Sequence, residues 1–152
     1  MARKAKAVIV DSYAIMADLL SQAPQHALRY LDKVRLGEVR GYVHYLLVYE
    51  LAYHWRKGRL PFADEKELRE FIDTYFRVLN IDAKTALEAS KVKIAGDKIL
   101  REAKDKRLRA RRLSAADATT IALALKLGVP VITGDNDLTY VARALGVKVI
   151  WG

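Results

Sequence analysis

Acidic residues directly follow two predicted strands of this 152-residue chain. Asp11 comes after the short, β-branched apolar run 7–10, and Asp135 and Asp137 come after the apolar run 131–133. Carboxylate oxygens, with water and substrate phosphate, are the ligands that Mg²⁺ and Mn²⁺ prefer in proteins. The pattern therefore predicts a hard-cation site. For the second segment a turn and helix start is an equal alternative, because Gly, Asp and Asn are ordinary residues there.

Two further carboxylates lie in predicted helices. Asp117 is three residues after Ser114, which is the spacing of a capping box, so it can satisfy helix N–H groups, face the sheet edge as a metal ligand, or do both. Glu50 occurs in the helix predicted over 45–57, which is otherwise largely apolar or aromatic. A glutamate buried there needs a partner, whereas an exposed stripe or an ion pair would explain it without a site.

The elements that would position these carboxylates alternate between strand and helix. Strands are predicted at 7–10, 38–43, 78–81, 131–133 and 147–151. Helices are predicted from residue 12 and at 25–36, 45–57, 64–78, 83–112 with a break at Gly96, 115–127 and 136–145. This alternation predicts an α/β fold with a central parallel sheet and helices on both faces. No linker or repeat divides the chain, so we expect one domain over 1–152.

The composition limits the classes of partner and chemistry that we expect for this protein. The formal charge is +9 and the pI is about 9.8, which favours a polyanion such as nucleic acid, although charged residues can also simply keep a small domain soluble. Without cysteine, disulfides and thiolate chemistry are excluded. No stretch approaches the roughly 20 apolar residues of a membrane span, so neither an anchor nor a signal peptide is predicted, and the cytoplasm is the expected location.

Basic residues are concentrated between 97 and 112, just before Asp117. A basic helix at this point could guide a phosphate backbone toward the acidic residues, but a solvated helix face is an equal interpretation of the segment by itself. The candidate RNA-binding residues are Arg101, Lys104, Arg107, Arg109, Arg111 and Arg112.

Four short motifs, in order and spacing, resemble those of the PIN-domain nucleases, especially the VapC-type toxins of prokaryotic toxin–antitoxin pairs. They are Val8-Ile9-Val10-Asp11-Ser12, Tyr49-Glu50-Leu51, Ser114-Ala115-Ala116-Asp117-Ala118 and Thr133-Gly134-Asp135-Asn136-Asp137. The resemblance spans nearly the whole chain. One departure is the long basic stretch between Glu50 and Asp117, which bears on the toxin subtype more than on the fold.

The resemblance implies a single PIN domain and a set of site residues. Asp11, Glu50, Asp117 and Asp135 would form the acidic metal site, with Asp137 as an optional fifth ligand and the Thr133 hydroxyl beside them. It further implies RNA hydrolysis with one or two Mg²⁺ or Mn²⁺ ions, an antitoxin partner and a homodimer. Such a cation can activate water and stabilise charge at phosphorus, so no protein nucleophile is required.

Two other functions are compatible with an α/β chain of this kind. A catalytically silent PIN module would bind RNA or protein through the same fold and basic surface, but the retention of the acids argues against it. A receiver-like regulator would use acids for magnesium and phosphorylation. The chain has neither an early acidic pair nor a mid-chain phosphoacceptor aspartate for that role.

Overall fold

A computed structural model describes residues 5–152 of the chain. Its centre is a sheet of five parallel strands in the order β3-β2-β1-β4-β5. The strands are β1 (Ala7–Val10), β2 (Arg40–His44), β3 (Arg77–Leu79), β4 (Val131–Ile132) and β5 (Val149–Ile150). The predicted parallel sheet is therefore confirmed, although several strands are shorter than or shifted from the predicted ranges.

Eight helices connect and cover these strands in the described part of the chain. They are α1 (Ser12–Leu19), α2 (Gln25–Arg35), α3 (Tyr45–Arg56), α4 (Glu65–Tyr75), α5 (Ala83–Arg101), α6 (Lys106–Arg109), α7 (Ala115–Leu127) and α8 (Asn136–Ala144). None of the helices in residues 5–152 combines the length and apolar character needed to cross a membrane.

The apolar side chains form two cores, one on each face of the sheet. Val8 and Val10 of β1 pack with residues of α1 to α4, whereas Ile9 between them packs with residues of α5, α7 and α8. Alternate side chains of a strand point to opposite faces, so the unbroken apolar run in β1 supplies both cores. This packing confirms the predicted arrangement of helices on both faces.

The strand order places β1 and β4 side by side at the point where the chain changes direction across the sheet. From β1 the chain moves outward to β2 and β3, and it later returns to add β4 and β5 on the other side. Ile9 is paired with Val131 and Val10 with Ile132, so both strands end at the same level. Ligands of open α/β sheets bind at such a switch point, beyond the carboxyl ends of the strands.

The prediction of one broken helix over 83–112 was wrong. Helix α5 runs without interruption through Gly96 to Arg101, and the chain then turns and forms the separate short helix α6. Gly96 is buried, and a Cβ there would lie 2.7 Å from a side-chain carbon of Leu113 and 3.1 Å from one of Val141. Close packing between helices, rather than a helix break, accounts for this glycine.

Candidate active site at the carboxyl edge of the sheet

Asp11 and Thr133 occupy the ends of the adjacent strands β1 and β4. Asp11 is buried, and its Oδ1 accepts a hydrogen bond from the N–H of Ala14 at 2.9 Å, so it also caps α1. The Thr133 hydroxyl donates to Asp11 Oδ2 and accepts from the N–H of Asp135 at 3.0 Å. Burial raises the pKa of Asp11 well above its usual value, although these hydrogen bonds act in the opposite direction.

Asp135 is the N-cap of α8. Its Oδ1 accepts from the N–H of Leu138 at 2.9 Å, which makes the alternative interpretation of this segment as a turn and helix start correct in itself. The capping bond uses only one of the two carboxylate oxygens of Asp135. Asp135 also raises the pKa values of Asp11, Glu50 and Asp117 by repulsion, so it lies among them. Capping and membership of the cluster coexist.

Glu50 approaches the same edge from α3. Its side chain is partly buried, and Oε1 accepts a hydrogen bond of 3.3 Å from the hydroxyl of Ser12, the residue after Asp11. Burial and repulsion by Asp135 raise the pKa of Glu50. The glutamate therefore faces the other acids rather than an exposed stripe of its helix.

Asp117 lies in the first turn of α7, whose N-cap is Ser114. The Ser114 hydroxyl oxygen accepts from the N–H of Asp117 at 3.0 Å, and a hydrogen bond from Ser114 to the Asp117 carboxylate acts to lower the pKa of that acid. Burial, followed by repulsion from Asp135 and Glu50, raises the pKa of Asp117 to about 7. Asp117 is thus held among like charges despite its position at a positive helix end.

His44 joins the two helices that carry Glu50 and Asp117. It is fully buried at the end of β2, where its Nδ1 accepts from the N–H of Leu47 at 3.3 Å and caps α3. The Thr120 hydroxyl of α7 donates to the Ala116 carbonyl, so His44 Nε2–H donates to Thr120 Oγ1 at 2.9 Å. Both ring nitrogens are occupied by structural bonds, so the structure gives His44 a positioning role.

Asp137 differs from the other acids because it has a cation of its own. Its buried Oδ2 accepts a hydrogen bond of 2.8 Å from Arg111 Nε. In the described residues this is the single ion pair formed by any of the five predicted metal ligands. The hydrogen bond to Asp137 and the charge of that acid raise the pKa of Arg111, and the charges of Asp135 and Asp117 act in the same direction.

The donor set suits a divalent ion. Within residues 5–152 the four carboxylates from β1, α3, α7 and α8 lie near one another without forming an ion pair, and the raised pKa values of Asp11, Glu50 and Asp117 record the cost of placing like charges together. Oxygen ligands of this type are those of Mg²⁺ and Mn²⁺. Within residues 5–152 no three acidic or histidine side chains are arranged around a common point, so binding an ion requires the carboxylates to turn toward it.

The basic segment is not the continuous helix that the sequence predicted. After α5 it forms a loop and α6, and several of its arginines bond to nearby backbone or acids. Arg109 donates to the carbonyls of Ala103 and Lys104, and Arg112 donates to those of Arg109 and Arg111. Arg101 and Lys104 are exposed, so the segment offers scattered cations rather than one basic face.

A cleft of about 930 Å³ opens beside the acidic cluster, between the basic segment and α8. Asp135, Asp137, Arg107 and Arg111 are among the residues that line it. Sequence reasoning did not single out its other charged and aromatic residues, which are Tyr13, Asp105, Tyr140 and Arg143. Tyr13 directly follows the first motif, but no local pattern distinguishes an exposed aromatic in a helix from one that lines a cleft.

The Trp151 ring packs against Gly134, which is one of the residues that line this cleft. A Cβ on Gly134 would lie 2.3 Å from the Trp151 ring, so the indole packs directly on the backbone that leads to Asp135. Tyr13 stands edge-on to the same indole, with ring centroids 5.6 Å apart and an interplanar angle of 72°. Glycine at 134 is therefore required by this close approach.

Comparison with solved structures finds the same fold in several proteins. VapBC2 from Rickettsia felis, bound to a DNA fragment from its promoter, has 9% identity and a TM-score of 0.63, with 94% of this chain and 96% of that chain covered. VapC20 from Mycobacterium tuberculosis, a sarcin–ricin loop cleaving toxin, has 17% identity and a TM-score of 0.58, with coverages of 92% and 95%. FitAcB from Neisseria gonorrhoeae has 18% identity and a TM-score of 0.58, with coverages of 93% and 95%.

Comparison with curated protein sequences finds no match. A sequence model of the PIN domain, in contrast, matches residues 8–144, which include all the carboxylates described above. The chain therefore belongs to the PIN-domain family of nucleases, as its motifs predicted.

Proposed function

We propose that this protein is a metal-dependent endoribonuclease that hydrolyses RNA phosphodiester bonds. The observation that carries the proposal is that Asp11, Glu50, Asp117 and Asp135 lie together at the switch point of the sheet and form no ion pair with any of residues 5–152. A stability role does not explain this arrangement, because burying like charges together disfavours the folded state. A divalent cation as the missing partner does explain it.

The four acids would hold one or two Mg²⁺ or Mn²⁺ ions, and Asp137 would join them as a fifth ligand where Arg111 releases it. When bound, such an ion activates water and stabilises the charge that develops on the phosphate. The Thr133 hydroxyl donates a hydrogen bond to the Asp11 carboxylate and accepts one from the backbone N–H of Asp135, so it holds both acids. Ser12 fixes Glu50 in the same way, so two hydroxyls orient the ligands.

RNA is the proposed substrate because the chain is strongly basic and its fold is shared with a toxin that cleaves the sarcin–ricin loop. We further propose that it is the toxin of a VapBC-type pair, active in the cytoplasm as a homodimer and blocked by an antitoxin protein. The exposed cations Arg101, Lys104, Arg109 and Arg112 would add attraction for the RNA backbone.

The test is cleavage of a panel of structured RNAs, including a sarcin–ricin-type stem-loop, by the wild-type protein and by Asp11→Asn and Asp117→Asn variants. We expect cleavage by the wild type with Mg²⁺ or Mn²⁺, loss of cleavage in EDTA, and loss in both variants. Equal cleavage by all three proteins, or cleavage that persists in the chelator, would defeat the proposal.

A catalytically silent PIN module is the second candidate, and the Arg111–Asp137 pair is the observation in its favour. An arginine that permanently neutralised one acid would weaken the attraction of the cluster for a cation. The two functions are separated by adding Mn²⁺ to Arg111→Gln. A nuclease should still bind metal and cleave, whereas a silent module should bind RNA without cutting it under any metal condition.

A further inference from the structure

The cleft beside the acidic cluster has the composition of a site for unpaired nucleotides. Its volume, about 930 Å³, lies near the upper end of the range of about 300 to 1,000 Å³ seen for small-molecule sites. Because Asp135 and Asp137 both line it, the cleft lies directly beside the acids, where the neighbouring part of a chain that reacts at the cluster can enter it.

Two aromatic rings face this space. Tyr13 is 47% exposed and comes from the first turn of α1, and Tyr140 is 39% exposed and comes from α8. Tyr13 is supported from the side by its edge-on contact with Trp151, which limits the freedom of its ring. Exposed, supported aromatic rings are stacking platforms for bases, since every base presents a π-face.

Without a bound metal ion, the acidic and basic side chains that line the cleft balance each other in charge. Asp105 pairs with Arg107 and Asp137 pairs with Arg111, while Arg143 forms no ion pair with any of residues 5–152. A divalent cation on the acidic cluster would neutralise Asp135 and turn the balance positive. Arg143, six residues beyond Asp137 and therefore about 9 Å further along α8, would then extend the positive surface away from the cluster.

We propose that this cleft is a nucleotide-binding subsite, in which unpaired nucleotides next to the cleaved bond stack on Tyr13 and Tyr140 and place phosphates against Arg111 and Arg143. The inference rests on the proposed function, because it takes the chain that enters the cleft to be the RNA that reacts at the cluster. An acidic protein segment could also use arginine and tyrosine. The nucleotide is favoured because the cleft and the acids share Asp135 and Asp137 as a common wall.

Binding is measured by fluorescence anisotropy with a labelled single-stranded RNA and the full chain, with Ca²⁺ in place of Mg²⁺ or Mn²⁺ so that the acids are neutralised while the RNA stays intact. Tyr140→Ala is expected to weaken binding about tenfold through loss of stacking. Arg143→Gln should weaken it about threefold and reduce the slope of log K against log salt by about 0.7. The matched controls are Tyr53→Ala and Arg29→Gln, which are exposed residues outside the cleft.

The same substitutions in the cleaving protein give a second readout. Tyr140→Ala should raise KM about tenfold with kcat within about twofold, as expected for contacts made equally before and during reaction. Affinities equal to those of Tyr53→Ala and Arg29→Gln would overturn the subsite, and would leave the cleft to a protein partner. Loss of binding in a protein that never cleaves would instead sink the proposed hydrolysis and keep the subsite.

Discussion

Two groups of carboxylates in this protein differ in whether they form ion pairs with a basic residue. Asp18 of α1 and Asp32 of α2 both bond to the guanidinium of Arg35, one arginine serving two acids. Asp11 and Asp117, at the carboxyl edge of the sheet, form no ion pair in the described residues and lie among other acids that raise their pKa values. The first group resembles an ordinary surface network, and the second has unbalanced charge.

The difference does not come from a shortage of cations. The chain has 27 Lys and Arg against 18 Asp and Glu, and basic residues immediately precede Asp117 in sequence. Yet Arg111 is the single cation of residues 5–152 that forms an ion pair with one of these acids, and its partner is Asp137. In so basic a protein, one buried and three half-buried acids without an ion pair in residues 5–152 indicate that their counter-charge comes from outside the chain.

The most direct test of this difference is to neutralise one acid from each group. Asp117→Asn should reduce RNA cleavage more than about 100-fold, as expected for loss of a metal ligand. The folded protein holds the Asp117 proton up to pH near 7, whereas the unfolded chain loses it near 3.8, so stability falls as pH rises between these values. Urea unfolding in EDTA at pH 8 should therefore show Asp117→Asn about 1 to 3 kcal/mol more stable than wild type.

Asp18→Asn is the matched control for that variant. It removes one partner of Arg35 and should lower stability by about 1 kcal/mol, with RNA cleavage unchanged. A destabilised Asp117→Asn protein that still cleaves RNA would show that the two groups of acids do not differ in kind.

Metal binding gives the second test, because a cation should relieve the unbalanced group and ignore the paired one. At 100 times its dissociation constant, Mn²⁺ would add about 2.7 kcal/mol and raise Tm by roughly 5 to 10 °C. The rise should be larger at pH 8 than at pH 5, since the raised pKa of Asp117 means that protons compete with the ion below about pH 7. Differential scanning fluorimetry measures both values.

Asp11→Asn should abolish most of that shift, and Asp18→Asn should keep it. An equal Tm rise in both variants would place the bound ion outside the acidic cluster.

Thr133 provides a smaller and more selective test of how the unbalanced group is held. Thr133→Val keeps the shape but removes the hydroxyl that bonds Asp11 and receives the N–H of Asp135. We expect about 10- to 100-fold weaker Mn²⁺ binding by titration calorimetry, with a matching loss of cleavage at low metal. Thr133→Ser keeps the hydroxyl and should lie within about threefold of wild type. Equal affinities in the valine and serine variants would remove the orienting role.

Much of the fold was predictable because its signals are local. The apolar runs at 7–10 and 131–133 read as strands because both faces of such strands are buried, and the caps Ser114 and Asp135 mark helix starts by their own side chains. Gly96 misled the prediction. Its intrinsic cost in a helix, about 1 kcal/mol, is outweighed by packing against Leu113 and Val141, which sequence alone does not reveal.

The acids of the site were predictable from their places after strands and at helix starts, together with the family motifs. Their supporting contacts were not, because these join residues far apart in the chain. His44 and Thr120 are 76 residues apart, and Ser12 and Glu50 are 38 apart. The pairing of Asp137 with Arg111 was equally hidden, since it depends on how the chain turns after α5.

His44 offers the last and smallest test, since it is buried like the acids but belongs to the packing of the fold. Burial lowers the pKa of His44 to about 4, from 6.5 in the unfolded chain. Between these values the unfolded state binds more protons, so the His44 contribution to stability falls by about 1 kcal/mol as pH drops from 6.5 to 5.5.

The carboxylates shift stability the other way, so the test is the difference in unfolding free energy between wild type and His44→Gln. That difference should shrink by about 1 kcal/mol over this range, with or without Mn²⁺. Parallel curves for wild type and His44→Gln would mean that this histidine is not held neutral between α3 and α7.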